Sequence, residues 1–275
     1  MHLTLNFSTC PNDTFMFGAM VNNLIDTKGY KFDLHLADIE QLNGLVECGI
    51  PDVSKLSFGV FPFVMSRYQL LNAGAALGKG VGPLLVSKRK IFPDEIHFVD
   101  VALPGERTTA NLLFSLAFPF AAKKKFYLFS QIMDAVLNDE VDAGVIIHES
   151  RFTFEQKGLL KVMDLGHFWE NKTGLPTPLG GIAIRQDLPL NVKVDINHLI
   201  CQSVEYGFSR PADVMPFVKQ HAQEMDEDVM RQHIGLYVND YSLGLGANGR
   251  KAIVELLCAS GKVTNDFDVT DFFVD

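Results

Sequence analysis

The chain has 275 residues, 47% of them hydrophobic and 21% charged, with a net charge of -9. That suits a soluble globular protein of one large or two smaller domains, and the acidity excludes a global field that would draw in nucleic acid or an anionic membrane. No run approaches the roughly 18 uninterrupted apolar residues of a membrane span. Cys10, Cys48, Cys201 and Cys258 form no Cys-x-x-Cys pair, so neither a zinc site nor a disulfide framework is expected.

Met1 to Phe7 reads as a strand, with no basic or apolar stretch of a signal peptide, so the expected location is the cytoplasm. Ser8 to Thr14 follows as a loop of turn formers and caps, and Phe15 to Ile25 is apolar enough for a helix. A polar loop between a strand and a helix start is a natural site for an anion or polar ligand. Lys31 to Leu36 alternates as a second strand, and Asp38 to Cys48 fits a short helix. Pro51 to Ser57 is a third strand ending in hydroxyls, before a helix from Phe58 to Met65. Ser57 can cap that helix, contact a ligand, or do both.

Tyr68 to Gly82 is glycine-rich, but Lys79 is followed by Gly80, so the phosphate-loop pattern is absent. Pro83 to Ser87 and His97 to Ala102 are strands, and Leu103-Pro-Gly105 opens a helix through Glu106 to Leu113. Thr108 and Thr109 fall at its start, where unpaired N–H groups and the helix dipole favour a carboxylate or phosphate. Lys123 to Lys125 is expected as a solvated loop.

Phe129 to Glu140 has helical spacing of Ile132, Met133, Val136 and Leu137, and feeds a β-branched run, Gly144 to Ile147. That run suits a strand buried on both faces of a parallel sheet. It ends at His148, where open α/β sheets bind ligands, on the side chain that titrates near neutrality. The alternative is a satisfied structural histidine at a strand end. Leu159 to Leu165 and Leu179 to Ile184 are further strands; helices are expected over Ile196 to Phe208, Ala212 to Gln223, Glu227 to Tyr237 and Ala247 to Ala259. His148-Glu149 lacks the second histidine of a zincin, no Gly-x-Ser-x-Gly elbow is present, and no dinucleotide fingerprint follows a strand. No metal and no cofactor are therefore expected.

Strand–loop–helix units with two crossover strands, near Gly82–Ser87 and Gly180–Ile184, resemble the two-lobed α/β fold of type II periplasmic binding proteins, with a ligand cleft between lobes. Residues 1–85 with 181–275 are expected as one lobe and 86–180 as the other. Ser8–Phe15, Gly82–Ser87, Pro104–Leu113, Gly144–Phe154 and Pro178–Ala183 together resemble the 1,4-dihydroxy-6-naphthoate synthases of the futalosine route to menaquinone. The segment reads Ser-Thr-Cys-Pro where that family has Ser-Pro-Cys-Pro.

The resemblance implies a lyase that converts cyclic de-hypoxanthine futalosine, an aryl carboxylate, into 1,4-dihydroxy-6-naphthoate and dihydroxyacetone. It implies His148 as the catalytic base. Candidate substrate contacts are Ser8, Asn12, Asp13, Ser57, Thr108, Thr109, Ala110 and Arg151. A second copy of the chain stays open as a partner. Two other functions share the fold: a non-catalytic solute-binding protein, and chorismate dehydratase of the same pathway.

Overall fold

The computed structural model describes residues 1–222, 226–263 and 269–274. The chain begins β1 (His2–Phe7), α1 (Pro11–Val21), β2 (Lys31–Leu36), α2 (Ile39–Glu47), β3 (Val53–Ser57), α3 (Phe61–Val64), β4 (Tyr68–Leu70) and β5 (Ala76–Gly78). It continues β6 (Leu84–Ser87), β7 (Val101–Leu103), α4 (Thr109–Ala117), β8 (Lys124–Phe126), α5 (Ile132–Leu137), β9 (Ala143–Ile146), α6 (Ser150–Thr153), β10 (Leu160–Asp164) and α7 (Leu165–Thr173). It closes with β11 (Thr177–Arg185), α8 (Leu190–Ser209), α9 (Pro211–His221), α10 (Glu227–Tyr237), α11 (Asp240–Leu243) and α12 (Gly246–Ala259).

Two sheets result. One runs β2-β1-β3-β11-β4 with β5 also on β11, and the other runs β10-β6-β9-β7-β8. β1 is parallel to β2 and β3, whereas β11 is antiparallel to its neighbours. β9 is parallel to β7 but antiparallel to β6, so the second sheet is mixed where the Gly144–Ile147 run led us to expect a parallel one. The strand is fully buried all the same, and it is burial on both faces that makes a strand read as continuously apolar.

The chain leaves the first sheet between β5 and β6 and returns through α7 between β10 and β11. These two connections touch. A Cβ placed on Gly82 would stand 2.2 Å from the Cα of Gly166, so neither position has room for a side chain. Leu3, Leu5 and Phe7 of β1 pack on Phe17, Ile196 and Ile200. Ile132 and Val136 of α5 cover the second sheet. A third cluster spans both sheets, from Leu56 and Phe58 through Leu103 and Phe114 to Ile253 and Leu256 of α12.

Several segments differ from the sequence expectation. His97–Ala102 is not one strand: Pro93–Phe98 is a 3-10 helix, fixed where the Phe92 N–H donates to Glu95 Oε2 at 2.7 Å, and the strand begins at Val101. Lys123–Lys125 gives way to the edge strand β8, where Lys125 faces solvent while half-buried Lys124 turns to α4 and donates to Ser115 Oγ at 2.7 Å. Tyr68–Gly82 holds the two short strands β4 and β5. Helix α7 was not foreseen, although Asp164 caps it by accepting from Gly166 N and His167 N, and Gly174 ends it at φ +71°. The first helix starts earlier than Phe15, with Pro11 in its opening turn. Helix α9 ends at His221, and the expected end at Gln223 lies outside the described residues.

Two glycine substitutions test this packing. Gly44 lies inside α2 with nothing within 4 Å of a new Cβ, so Gly44→Ala should stabilise by up to about 1 kcal/mol. Gly82→Ala should cost about 2–3 kcal/mol, because backbone rather than a flexible side chain blocks the Cβ. Urea unfolding of both variants checks the pair; an unchanged midpoint for Gly82→Ala would mean the crossovers are not tightly held.

Candidate functional site

The carboxyl ends of β1, β3, β7 and β9 converge on one cavity between the sheets. Ser8, Asn12 and Asp13 line it from the β1–α1 loop, Lys55 and Ser57 from β3, and Thr108, Thr109 and Ala110 from the start of α4. Ile147 and His148 follow β9, and Leu179, Gly180 and Tyr237 complete the far wall. The volume open to water-sized spheres is about 80 Å³, several waters' worth.

Asp13 organises the floor. It sits in the first turn of α1, where the dipole favours a carboxylate. Its Oδ2 accepts from Ser8 Oγ at 2.7 Å and Ser8 N at 3.2 Å. Its Oδ1 accepts from Asn12 Nδ2 at 2.8 Å and pairs with Lys55 Nζ at 2.9 Å. With Nδ2 committed to Asp13, Asn12 turns Oδ1 to His233, whose Nε2 lies 2.9 Å away. Nε2 of His233 therefore carries the proton and donates it. The hydroxyl of Ser57 accepts from Asn43 Nδ2 at 3.2 Å, and its N–H donates to Asn43 Oδ1 at 2.9 Å.

His148 comes from the other sheet, in left-handed backbone at φ +58°. Histidine tolerates that region better than most residues, at a cost of order 1–3 kcal/mol. The turn aims the ring back over the cleft, with Nδ1 3.3 Å from Cys10 Sγ and the ring edge on Phe129. The ring lies 6.1 Å from His233 and nearly parallel to it. Its Nε2 is buried with no hydrogen-bond partner among the described residues, and the residue lines the cavity.

Burial lowers the imidazole pKa from 6.5 to about 4; Asp13 opposes the shift and Lys55 adds to it. His148 is thus neutral at physiological pH. Burial, with Glu149 and Asp13, pushes the Cys10 thiol well above its usual value, so the thiol keeps its proton. Nε2 can accept a proton only in the tautomer that places hydrogen on Nδ1, facing Cys10 Sγ. Burial also lowers the His233 pKa, helped by His148 and Lys55, and pushes the Tyr237 phenol up to about 12.

The threonines act differently from the sequence expectation. Thr108 Oγ1 donates to Gly105 O and accepts from Asn111 N, as the cap of α4. Thr109 Oγ1 donates to Leu179 O at 2.5 Å and accepts from Gly59 N at 3.1 Å. Both hydroxyls are committed within the protein, and Thr109 bridges the two sheets. What α4 offers the cavity is its N-terminal backbone and dipole.

Eight of the nine expected site residues line the cavity: Ser8, Asn12, Asp13, Ser57, Thr108, Thr109, Ala110 and His148. Arg151 is not among the lining residues. Its Nη1 donates to Gly82 O at 2.5 Å and its Nη2 lies 3.6 Å from Asp164, placing it on the crossover behind Tyr237. Lys55, Cys10, His233 and Tyr237 were missed. Only Lys55 left a signal, as a lysine in the middle of a strand otherwise suited to the core. Among the described residues, no cluster of three or more His, Cys, Asp or Glu is placed to hold a metal, and no helix is long and apolar enough to cross a membrane.

A sequence profile described as menaquinone biosynthesis matches residues 3–260. The chain is 40% identical over 255 residues to a 1,4-dihydroxy-6-naphthoate synthase of Thermus thermophilus, covering 92% of each chain. It is equally similar over 260 residues to one of Streptomyces coelicolor, covering 93% of this chain and 91% of that one. A solved protein from Archaeoglobus fulgidus superposes with a TM-score of 0.90 at 30% identity, over 94% of this chain and 97% of that one. The alkanesulfonate-binding protein of Xanthomonas axonopodis, solved with MOPS, superposes at 0.70 with 13% identity, over 99% and 97%. The fold is that of the periplasmic binding proteins.

The depressed His148 pKa makes acid stability a test of this geometry. Because the folded pKa lies below the unfolded one, the unfolded chain takes up the proton first, and stability falls as pH drops from about 6.5 towards 4. Between pH 7 and pH 5 this imidazole alone should remove roughly 1–2 kcal/mol. His148→Asn, which tolerates left-handed backbone, should lose less stability over that interval. Urea midpoints at the two pH values measure it; an equal loss in both proteins would mean that His148 is not held neutral by burial.

Proposed function

The chain belongs to the menaquinone-biosynthesis family, and on that premise we propose that it is a carbon–carbon lyase of that pathway. It takes cyclic de-hypoxanthine futalosine to 1,4-dihydroxy-6-naphthoate and releases dihydroxyacetone. The observation that carries this is a neutral imidazole whose Nε2 is buried without a partner among the described residues, on a residue that lines the cavity. A base needs that state. In a solute-binding protein, a strained backbone and an unpaired buried nitrogen would have no purpose. The relatives matched carry the synthase name, which gives chorismate dehydratase no comparable support.

In this proposal His148 Nε2 removes a proton from substrate carbon, with Nδ1–H held at Cys10 Sγ. The substrate's aryl carboxylate lies at the N-terminus of α4, against the N–H groups near Thr109 and Ala110. Ser8 and Ser57 offer hydroxyls to the oxygens of the substrate's sugar-derived part. Tyr237 keeps its proton and can donate it. Residues 1–85 with 181–275 form one lobe and 86–180 the other, and their separation admits the substrate. The enzyme works in the cytoplasm on a small molecule.

Incubation with the cyclic substrate should produce naphthoate absorbance, and His148→Asn should cut turnover by about 10²–10⁴-fold while still folding. The acid limb of kcat/KM should fall near the lowered pKa of about 4 rather than near 6.5, because only the neutral ring is a base. Near wild-type turnover in His148→Asn would remove His148 as the base.

A further inference from the structure

Lys55 stands in β3, a strand whose five residues are all buried. Its side chain is 6% exposed, and Nζ pairs with Asp13 Oδ1 at 2.9 Å. An ammonium carries three N–H donors, and the remainder find no acceptor among the described residues. The cavity wall includes this residue, and no other lysine or arginine is among the lining residues. Its stem passes Gly180 of β11 at ordinary contact: a Cβ there would lie 3.5 Å from Lys55 Cε and would clash instead with Leu56 O at 2.5 Å. A buried pair built only for stability gains little over apolar replacements and has no need to face a cavity.

Resting on the function proposed above, we infer that Lys55 is a second catalytic residue, donating a hydrogen bond to the oxyanion that forms as His148 takes its proton. The C–H bond next to a substrate carbonyl breaks, and the proton goes to His148 Nε2. The C–H electron pair becomes a C=C bond, and the carbonyl π pair moves onto oxygen. That oxygen accepts from Lys55 Nζ, which stays protonated throughout. Lys55 and His148 line the same cavity, and the lysine charge acts on the ring. Asp13 offsets the lysine charge before reaction, and a bound carboxylate at Nζ would face the Asp13 carboxylate across it. Charge that develops only in the transition state is what such a preorganised donor favours.

The test compares Asp13→Asn with the double variant Asp13→Asn/Lys55→Met, so that neither leaves an unpaired buried carboxylate. Both are assayed with the cyclic substrate, and binding of 1,4-dihydroxy-6-naphthoate is titrated to confirm an intact site. Lys55→Met should lower single-turnover rate by about 10²–10³-fold within the pair, with naphthoate affinity changed far less. Lys55→Arg in the wild-type background should retain more activity than Lys55→Met. Equal rates for the pair would reduce Lys55 to an ion-pair partner and overturn the inference. A raised KM with unchanged kcat would make it a carboxylate anchor, which also overturns it. If the unaltered protein binds and converts no cyclic substrate, the proposed function itself fails, a result separate from either.

Discussion

The buried carboxylate of Asp13 is the constraint on which the site depends. Two residues of its own loop, one strand of the sheet and, through Asn12, a histidine of α10 take their positions from it. Each of those groups is buried, so each needs a partner, and an unmatched one would cost about 1–3 kcal/mol. The carboxylate in turn needs its donors, because an isolated buried charge is far more expensive. The mutual requirement fixes the cavity floor before any ligand arrives. It also sets the tautomer of His233 by a chain of hydrogen bonds rather than by contact with substrate.

His148 depends on the opposite sheet. Its strand, its turn and the ring of Phe129 belong to one half, whereas Cys10 and His233 belong to the other. The ring thus takes its contacts from both halves. Thr109, bonded to Leu179 O and Gly59 N, holds the same seam on the α4 side. So do Arg107 N, which donates to Glu40 Oε1 at 3.1 Å, and the Arg107–Glu47 ion pair at 2.9 Å. Polar contacts of this kind let two lobes part more readily than a continuous apolar seam would. The shared apolar cluster beneath, with α12, keeps them joined.

The fold was legible where the signal is local. Glu227–Tyr237 is a helix at the expected limits, and β9 and β11 fall within a residue or two of the apolar runs that announced them. The failures have local causes as well. β4, β5 and β8 are three residues each, too short for a period to show. At the site, residues at strand ends and helix starts were found because topology alone places them at the cleft. Arg151 lies off the cavity wall because adjacency to His148 in sequence says nothing about direction: His148 is itself in left-handed backbone, and α6 carries the guanidinium to the crossover. His233 and Tyr237 were out of reach, since an i, i+4 pair on a buried helix face is the ordinary mark of packing.

The glycines near β11 show why a binding-protein fold can carry chemistry at this place. Gly181 lies 3.0 Å, at its missing Cβ, from the ring of Phe58, so the strand can press against the core of the first sheet. Gly180 faces the other way, where a Cβ would stand 2.5 Å from Leu56 O. A side chain at either position would push β11 from β3, and with it Leu179, whose carbonyl receives Thr109 from the other half. One pair of small residues thus serves the sheet pairing and the seam between halves.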